Sequence, residues 1–384
     1  MSFDFSSPTA ASLRARGGIK WNAYPPEVQP MWVAEMDFPT AEVITETLRE
    51  AIGREMFGYV NTSQPELAAA LAEFCRQRYD WAFDPAAVRV LPEVIRGVEL
   101  AIDAFSAPGS AVVLPVPAYM PFSELIGVMG RRIIEVPMLR QGERWQLDLE
   151  ALEEAFRQGA GSLILTNPHN PLGKTFDAAE LTEIAKIVDR HQGRVVSDEI
   201  HAPLVYQGRH IPYASLSETA AAHSVTLMST SKAWNLPGLC CAQAIVHTEA
   251  DRVRWDAIPE VRKHLVSPLG VVASETAYRA GSPWLNALVQ QLAANRDYLF
   301  NALQEVAGLR AFAPQATYLA WLDFREHRLA QLAESPASYL LREAKLATVD
   351  GRACGEIGAN HVRLNFGTTS ELLHQAVDSL KAVL

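Results

Sequence analysis

Apolar and polar positions alternate in two distinct textures along this 384-residue chain. From about Ala41 to Leu269, short β-branched runs alternate with stretches of helical period, the pattern of a largely parallel sheet flanked by helices. The runs Ala111-Val-Val-Leu114, Ser162-Leu-Ile-Leu-Thr166, Arg194-Val-Val-Ser197 and Ser224-Val-Thr-Leu-Met228 are expected strands. Between the second and third, Asp177 and Glu180 have capping-box spacing, and the helix they open closes at His191-Gln-Gly193. After Ser267-Pro268 long amphipathic helices run to about Val306, followed by strand-like Tyr318–Leu322 and Val362–Asn365. The first 40 residues read as irregular, because Gly17-Gly18 and Pro25-Pro26 interrupt any regular element. Such a segment needs a larger body, or a partner subunit, to lie on. The division expected is an N-terminal segment (1–45) that joins a small α+β domain (271–384), beside a large α/β domain (46–270).

Composition narrows the partners. A net charge of −10 disfavours nucleic acid and anionic membranes, since both select basic surfaces. Met1-Ser-Phe-Asp-Phe5 has neither the basic nor the apolar region of a secretory signal, and no apolar run is long enough to span a bilayer. Cys75, Cys240, Cys241 and Cys354 include no C-x-x-C pair and no ligand spacing, which fits a reducing, cytoplasmic setting.

Three expected strands end in chemically loaded loops: Asn167–Lys174, Asp198–His201 and Ser229–Lys232. In open α/β sheets, ligands bind beyond the carboxyl ends of the strands. If these strands are neighbours, Asn170, Asp198 and Lys232 meet in one crevice. Lysine is scarce, seven in all, and Lys232 directly follows a buried strand among small hydroxyl residues. A desolvated amine is what Schiff-base chemistry requires, while a surface lysine at a loop start is the plainer reading. Ser229 and Ser231 suit a phosphate. Pro92 precedes a helical stretch from Glu93 to Phe105, whose free N–H groups at Val94 and Ile95 suit one as well. Asp198 at a crevice floor can keep a heterocyclic nitrogen protonated. Arg363 sits in an apolar strand and needs an anionic partner, either a substrate carboxylate or an internal acid.

In this order and spacing, these features resemble the fold-type I pyridoxal-phosphate enzymes of the aminotransferase class I/II superfamily. The resemblance spans essentially the whole chain. Met31–Phe38, Phe57-Gly-Tyr59, Pro117-Ala-Tyr119, Ser197–His201, Pro314–Asp323 and Val362–Asn365 are similar to the cystathionine β-lyase branch. The resemblance implies a mostly parallel seven-stranded sheet and pyridoxal 5'-phosphate held as a Schiff base on Lys232, which later moves the proton. It implies that Asp198 pairs with the pyridine nitrogen, Asn170 bonds the phenolic oxygen and Tyr119 both stacks on the ring and takes part in catalysis beside Lys232, with His201 also at the cofactor. Ser229, Ser231, Val94 and Ile95 would hold the phosphate, Tyr59 would reach it and the substrate from the other subunit of a homodimer, and Arg363 would bind the substrate carboxylate. Cys240 stands where aminotransferases commonly have a phosphate-binding arginine, and His201 where they have tyrosine; both departures are shared by the lyases. Leu172 replaces a common threonine. The expected activity is therefore β-elimination from cystathionine or another S-substituted cysteine. An aminotransferase for an apolar or aromatic amino acid, and a regulatory protein that keeps the fold, are the alternatives.

Overall fold

The computed structural model describes residues 3–61 and 63–384. Its largest sheet has eight strands, in the order Val88–Leu91, Ala242–Val246, Ser224–Met228, Arg194–Asp198, Ala160–Thr166, Ala111–Val116, Ile133–Gln141 and Arg144–Leu147. The middle five, from Ser224–Met228 to Ile133–Gln141, run parallel, and antiparallel strands close both sides. All four expected strands are present. The sheet has one strand more than the seven expected. Besides Val88–Leu91, Ala242–Val246 and Ile133–Gln141, the runs named from sequence miss the polar edge strand Arg144–Leu147. It folds back on Ile133–Gln141 through a two-residue turn in which Gly142 takes φ +62; a residue with positive φ at that place lets the hairpin follow the natural twist.

Both faces of the parallel strands are covered, which is why their sequences read as unbroken apolar runs. Val112, Ile164 and Val196 pack on one face with Leu100, Ile102 and Phe122. Their neighbours Val113, Leu163 and Val195 pack on the other with Leu152, Leu181 and Ile184. The expected capping box is formed: Asp177 accepts from the Glu180 N–H, opening the helix Ala178–Arg190. The helix Val94–Phe105 lies hard against Ser224–Met228, because a Cβ at Gly97 would sit 2.7 Å from Leu227 Cδ2. That close approach carries the start of the helix toward the loop after Met228.

A second sheet of four strands, antiparallel throughout, is built from Arg310–Ala311, Leu319–Asp323, His361–Asn365 and Val349–Asp350. The helices Ser282–Leu303 and Ser370–Val383 pack beside it, burying Leu292, Leu299, Leu373 and Leu380 with Leu322 and Leu364. The start of the chain is less irregular than its glycines and prolines suggest. Thr9 and Ser12 form a reciprocal cap for the short helix Ala10–Ala15, and Ile19–Asn22 makes another turn. Gln29–Pro30 then pairs in parallel with Leu346–Ala347, which lays the segment on the C-terminal part of the chain. No described helix is long and apolar enough to cross a membrane.

Candidate active site

The three chemically loaded loops leave adjacent strands. Thr166 and Asp198 are register partners, as are Asp198 and Leu227. The Asn167 N–H donates to Asp198 O at 2.9 Å and the Glu199 N–H to Leu227 O at 2.9 Å. Asn170, Asp198 and Lys232 consequently line one cavity of about 200 Å³, with Val94, Ile95, Tyr119, His201 and Ser231 also on its walls.

Lys232 rides on the short helix Thr230–Ala233, capped by Ser229. Its side chain is half-buried because it faces the cavity. Among the described residues the amine has one hydrogen-bond partner, the Ala34 carbonyl at 2.9 Å, and makes no salt bridge. Loss of water, reinforced by the nearby Arg363 guanidinium, brings Lys232 from 10.5 down to about 8. Burial lifts Asp198 to about 6, against the opposing pull of the Ile200 N–H, which donates to Oδ1 at 3.1 Å, and of Lys232. The carboxylate is therefore still mainly ionised at neutral pH. Burial, with Lys232 and Arg363 close by, drops His201 to about 3 and keeps it neutral.

Arg363, 3 % exposed, donates to Asn170 Oδ1 at 3.2 Å and to the Trp32 carbonyl at 3.0 Å. Among the described residues no acid pairs with it and its Nε has no hydrogen-bond partner, so pairing an internal carboxylate there is not its role. A buried guanidinium without an anion carries a large unmet demand for one. His201 Nδ1 is likewise buried and unpartnered.

The N-terminus of the twelve-residue helix Val94–Phe105 borders the same cavity, and no side chain caps it. Its first N–H groups, beside the Ser231 hydroxyl, form a cradle for an anion. Ser229 is placed differently from Ser231. Its hydroxyl is buried, donates to Cys241 O at 2.7 Å and accepts the Ser231 N–H at 3.1 Å, so it shapes the turn and is absent from the cavity wall. Tyr59 is 96 % exposed and away from this chain's own cavity.

Taken together, the free amine, the buried acid and the anion cradle fit pyridoxal 5'-phosphate at its aldehyde, ring-nitrogen and phosphate ends. Tyr119 lines the same cavity, in edge contact with Phe122 at 5.4 Å.

Several participants were not singled out from sequence. Phe122, Ile200 and Pro237 complete the wall. Ala34 and Trp32 take part through backbone carbonyls, which carry no side-chain signal. Asn235, at φ +57, clamps Met36 by both its N–H (2.8 Å) and its carbonyl (2.7 Å).

A parallel sheet with a lysine, an aspartate and an asparagine at its carboxyl edge defines a class, and the chain belongs to it: residues 31–380 match the aminotransferase class I and II family. Within that family it is 40% identical to a cystathionine beta-lyase of Corynebacterium glutamicum, an alignment spanning 98% of this chain and 99% of the relative. It is also 33% identical to cystathionine beta-lyase PatB of Bacillus subtilis, over 92% of each. A crystal structure described as a putative PLP-dependent beta-cystathionase from Corynebacterium diphtheriae superimposes with a TM-score of 0.93. There the identity is 38%, over 100% of this chain and 99% of that one.

Proposed function

We propose that the protein is a pyridoxal-phosphate-dependent carbon–sulfur β-lyase that cleaves cystathionine, or a related S-substituted cysteine. Cystathionine and water become pyruvate, ammonia and homocysteine. The observation that carries the reading is the Lys232 amine, bonded to a backbone carbonyl and to no acid among the described residues, in one cavity with ionised Asp198 and near an Arg363 guanidinium that has no acid partner. The naming of relatives at 33–40% identity as lyases supports elimination over transamination.

When bound, the cofactor supplies an electron sink for the bonds at the substrate Cα. This chain's residues do the rest. Arg363 takes the substrate carboxylate in its two-pronged fork and so fixes which Cα bond faces Lys232. Lys232, with its lowered proton affinity, accepts the Cα proton. Asp198 holds a proton on the cofactor's ring nitrogen by ion pairing. Asn170 would hold the phenolic oxygen and Tyr119 would stack on the ring. The Val94–Ile95 N–H groups and Ser231 hold the phosphate, while Ser229 keeps Ser231 in place.

The reading includes a homodimer as the active form, and the exposure of Phe57 (63 %) and Tyr59 (96 %) on a single chain supports it. Tyr59 is assigned to the neighbouring subunit's phosphate. A fully active monomer in sedimentation at assay concentration would refute the dimer. Four unpaired cysteines agree with a cytoplasmic enzyme that supplies homocysteine for methionine formation. The decisive assay gives the purified protein cystathionine and no keto acid. Pyruvate, ammonia and homocysteine should form in equal amounts over many turnovers. A requirement for keto acid, or arrest after one turnover, would identify an aminotransferase instead.

A further inference from the structure

Six consecutive carbonyls, Met31 to Met36, are each grasped by the body of the protein. The Asn365 N–H donates to Met31 O (2.8 Å), Arg363 to Trp32 O (3.0 Å) and Asn365 Nδ2 to both Val33 O (2.5 Å) and Glu35 O (2.7 Å). Lys20 adds a second bond to Glu35 O (2.9 Å), and Asn235 takes Met36 O (2.7 Å). Ala34 O stands apart, because it accepts from Lys232 Nζ and from the Tyr318 hydroxyl, each at 2.9 Å. Tyr318 is fully buried and edge-on to His201, with ring centres 5.9 Å apart. Two of the donors on this strap, Lys232 and Arg363, are thus groups that also have to engage ligands.

Resting on the reading of Lys232 as the cofactor lysine, we propose that Tyr318 is a positioning residue. It fixes the Ala34 carbonyl as the resting acceptor of the Lys232 amine, and it keeps the strap seated when that amine is engaged elsewhere. Condensation of an ammonium with an aldehyde forms a C=N bond and releases one water. At least two of the three ammonium hydrogens leave, so the Lys232 donor to Ala34 O is withdrawn. A carbonyl oxygen has two lone pairs, and the Tyr318 bond survives this loss. Without Tyr318, the same event would leave Ala34 O with no partner.

The test is amide hydrogen exchange of peptides covering residues 31–37, in full-length wild type and Tyr318→Phe, each without and with pyridoxal 5'-phosphate. The informative quantity is the ratio of loaded to unloaded exchange, since a general loss of stability moves both forms alike. The ratio should be roughly fivefold higher in Tyr318→Phe than in wild type, because there loading removes the last partner of a buried acceptor, which costs more than removing one of two. Equal ratios overturn the proposal. Borohydride reduction and peptide mapping of the loaded samples test the underlying reading separately. A label on a lysine other than Lys232 overturns that reading, and this inference with it, whatever the strap does. Should Tyr318→Phe fail to fold, unloaded Lys232→Met takes its place. Exchange at 31–37 should then rise no more than about twofold over wild type, because Tyr318 still holds Ala34 O, and a rise of roughly fivefold or more overturns the proposal.

Discussion

Lys20 and Lys232 both give up water on folding, and they end in opposite chemical situations. The Lys20 amine, 2 % exposed, meets the equally buried Asp37 carboxylate at 2.9 Å, while Trp21 Nε1 donates to the other carboxylate oxygen at 2.7 Å. Lys232 meets only a backbone carbonyl. A carboxylate compensates a buried ammonium in place, and the pair becomes a rivet between the first helical turns and the 31–37 strap. A carbonyl compensates it weakly, so the proton is held loosely and the amine becomes available as nucleophile and base. The same residue type is structural in one pocket and chemical in the other, and the counter-charge makes the difference. Lys174, paired with Glu180 at 2.8 Å, falls with Lys20.

The largest expected effect tests the chemical side of that contrast. Lys232→Ala should lower turnover of cystathionine by about a thousandfold or more, since general-base catalysis alone contributes on the order of 10²–10⁴. It should also abolish covalent capture of pyridoxal phosphate. In the wild type, borohydride should fix the label on Lys232 and leave Lys20 and Lys174 unmodified, as read by peptide mass; labelling of either paired lysine breaks the comparison. On the structural side, Lys20→Met strands a buried carboxylate and should destabilise the protein by about 3–5 kcal/mol in denaturant melts. Covalent capture at Lys232 should persist in whatever fraction stays folded.

Arg363 sharpens the same point with a different cation. It too is buried without an acid, and its anion is expected to arrive with the substrate. Arg363→Ala should cut kcat/KM by about 10²–10³, or ~3–4 kcal/mol for a charged two-pronged contact, while the cofactor's visible absorption remains. An unchanged kcat/KM would move the carboxylate site elsewhere. The smallest effect is one of pH. Because Lys232 is lowered to about 8, its reactive neutral fraction grows as pH rises toward that value. Capture of pyridoxal phosphate by the unloaded protein should accelerate about tenfold per pH unit from 6, then level off near 8. Acceleration continuing past 10 would mean that the amine keeps an ordinary lysine's proton affinity.

The parallel core was legible in the chain because burial on both faces writes itself as continuous apolar runs. Ser224–Met228 was located to the residue for that reason, and the Asp177–Glu180 cap by its capping-box spacing. Arg144–Leu147 escaped notice, since an edge strand with one wet face and a polar composition looks like loop until its hairpin partner is known. The short helices near the start escaped for a related reason. Ala10–Ala15 depends on a local cap, and Ile19–Asn22 is held in place by Trp21 and Lys20 reaching distant Asp37.

For the site, the sequence by itself determined the chemically distinctive side chains and their place after strands: Asn170, Asp198, Lys232 and, in its apolar strand, Arg363. Side-chain chemistry and strand-end position are local properties, and a single chain displays them directly. Only the tertiary structure decided which partner each would have. That Arg363 lacks an acid, that Lys20 has one, that Ser229 turns inward while Ser231 faces the cavity, and that Ala34 O receives two donors depend on contacts between residues up to hundreds of positions apart. Backbone carbonyls are identical at every position of the sequence, so their roles at Trp32 and Ala34 arise only when folding brings a particular donor within 3.0 Å.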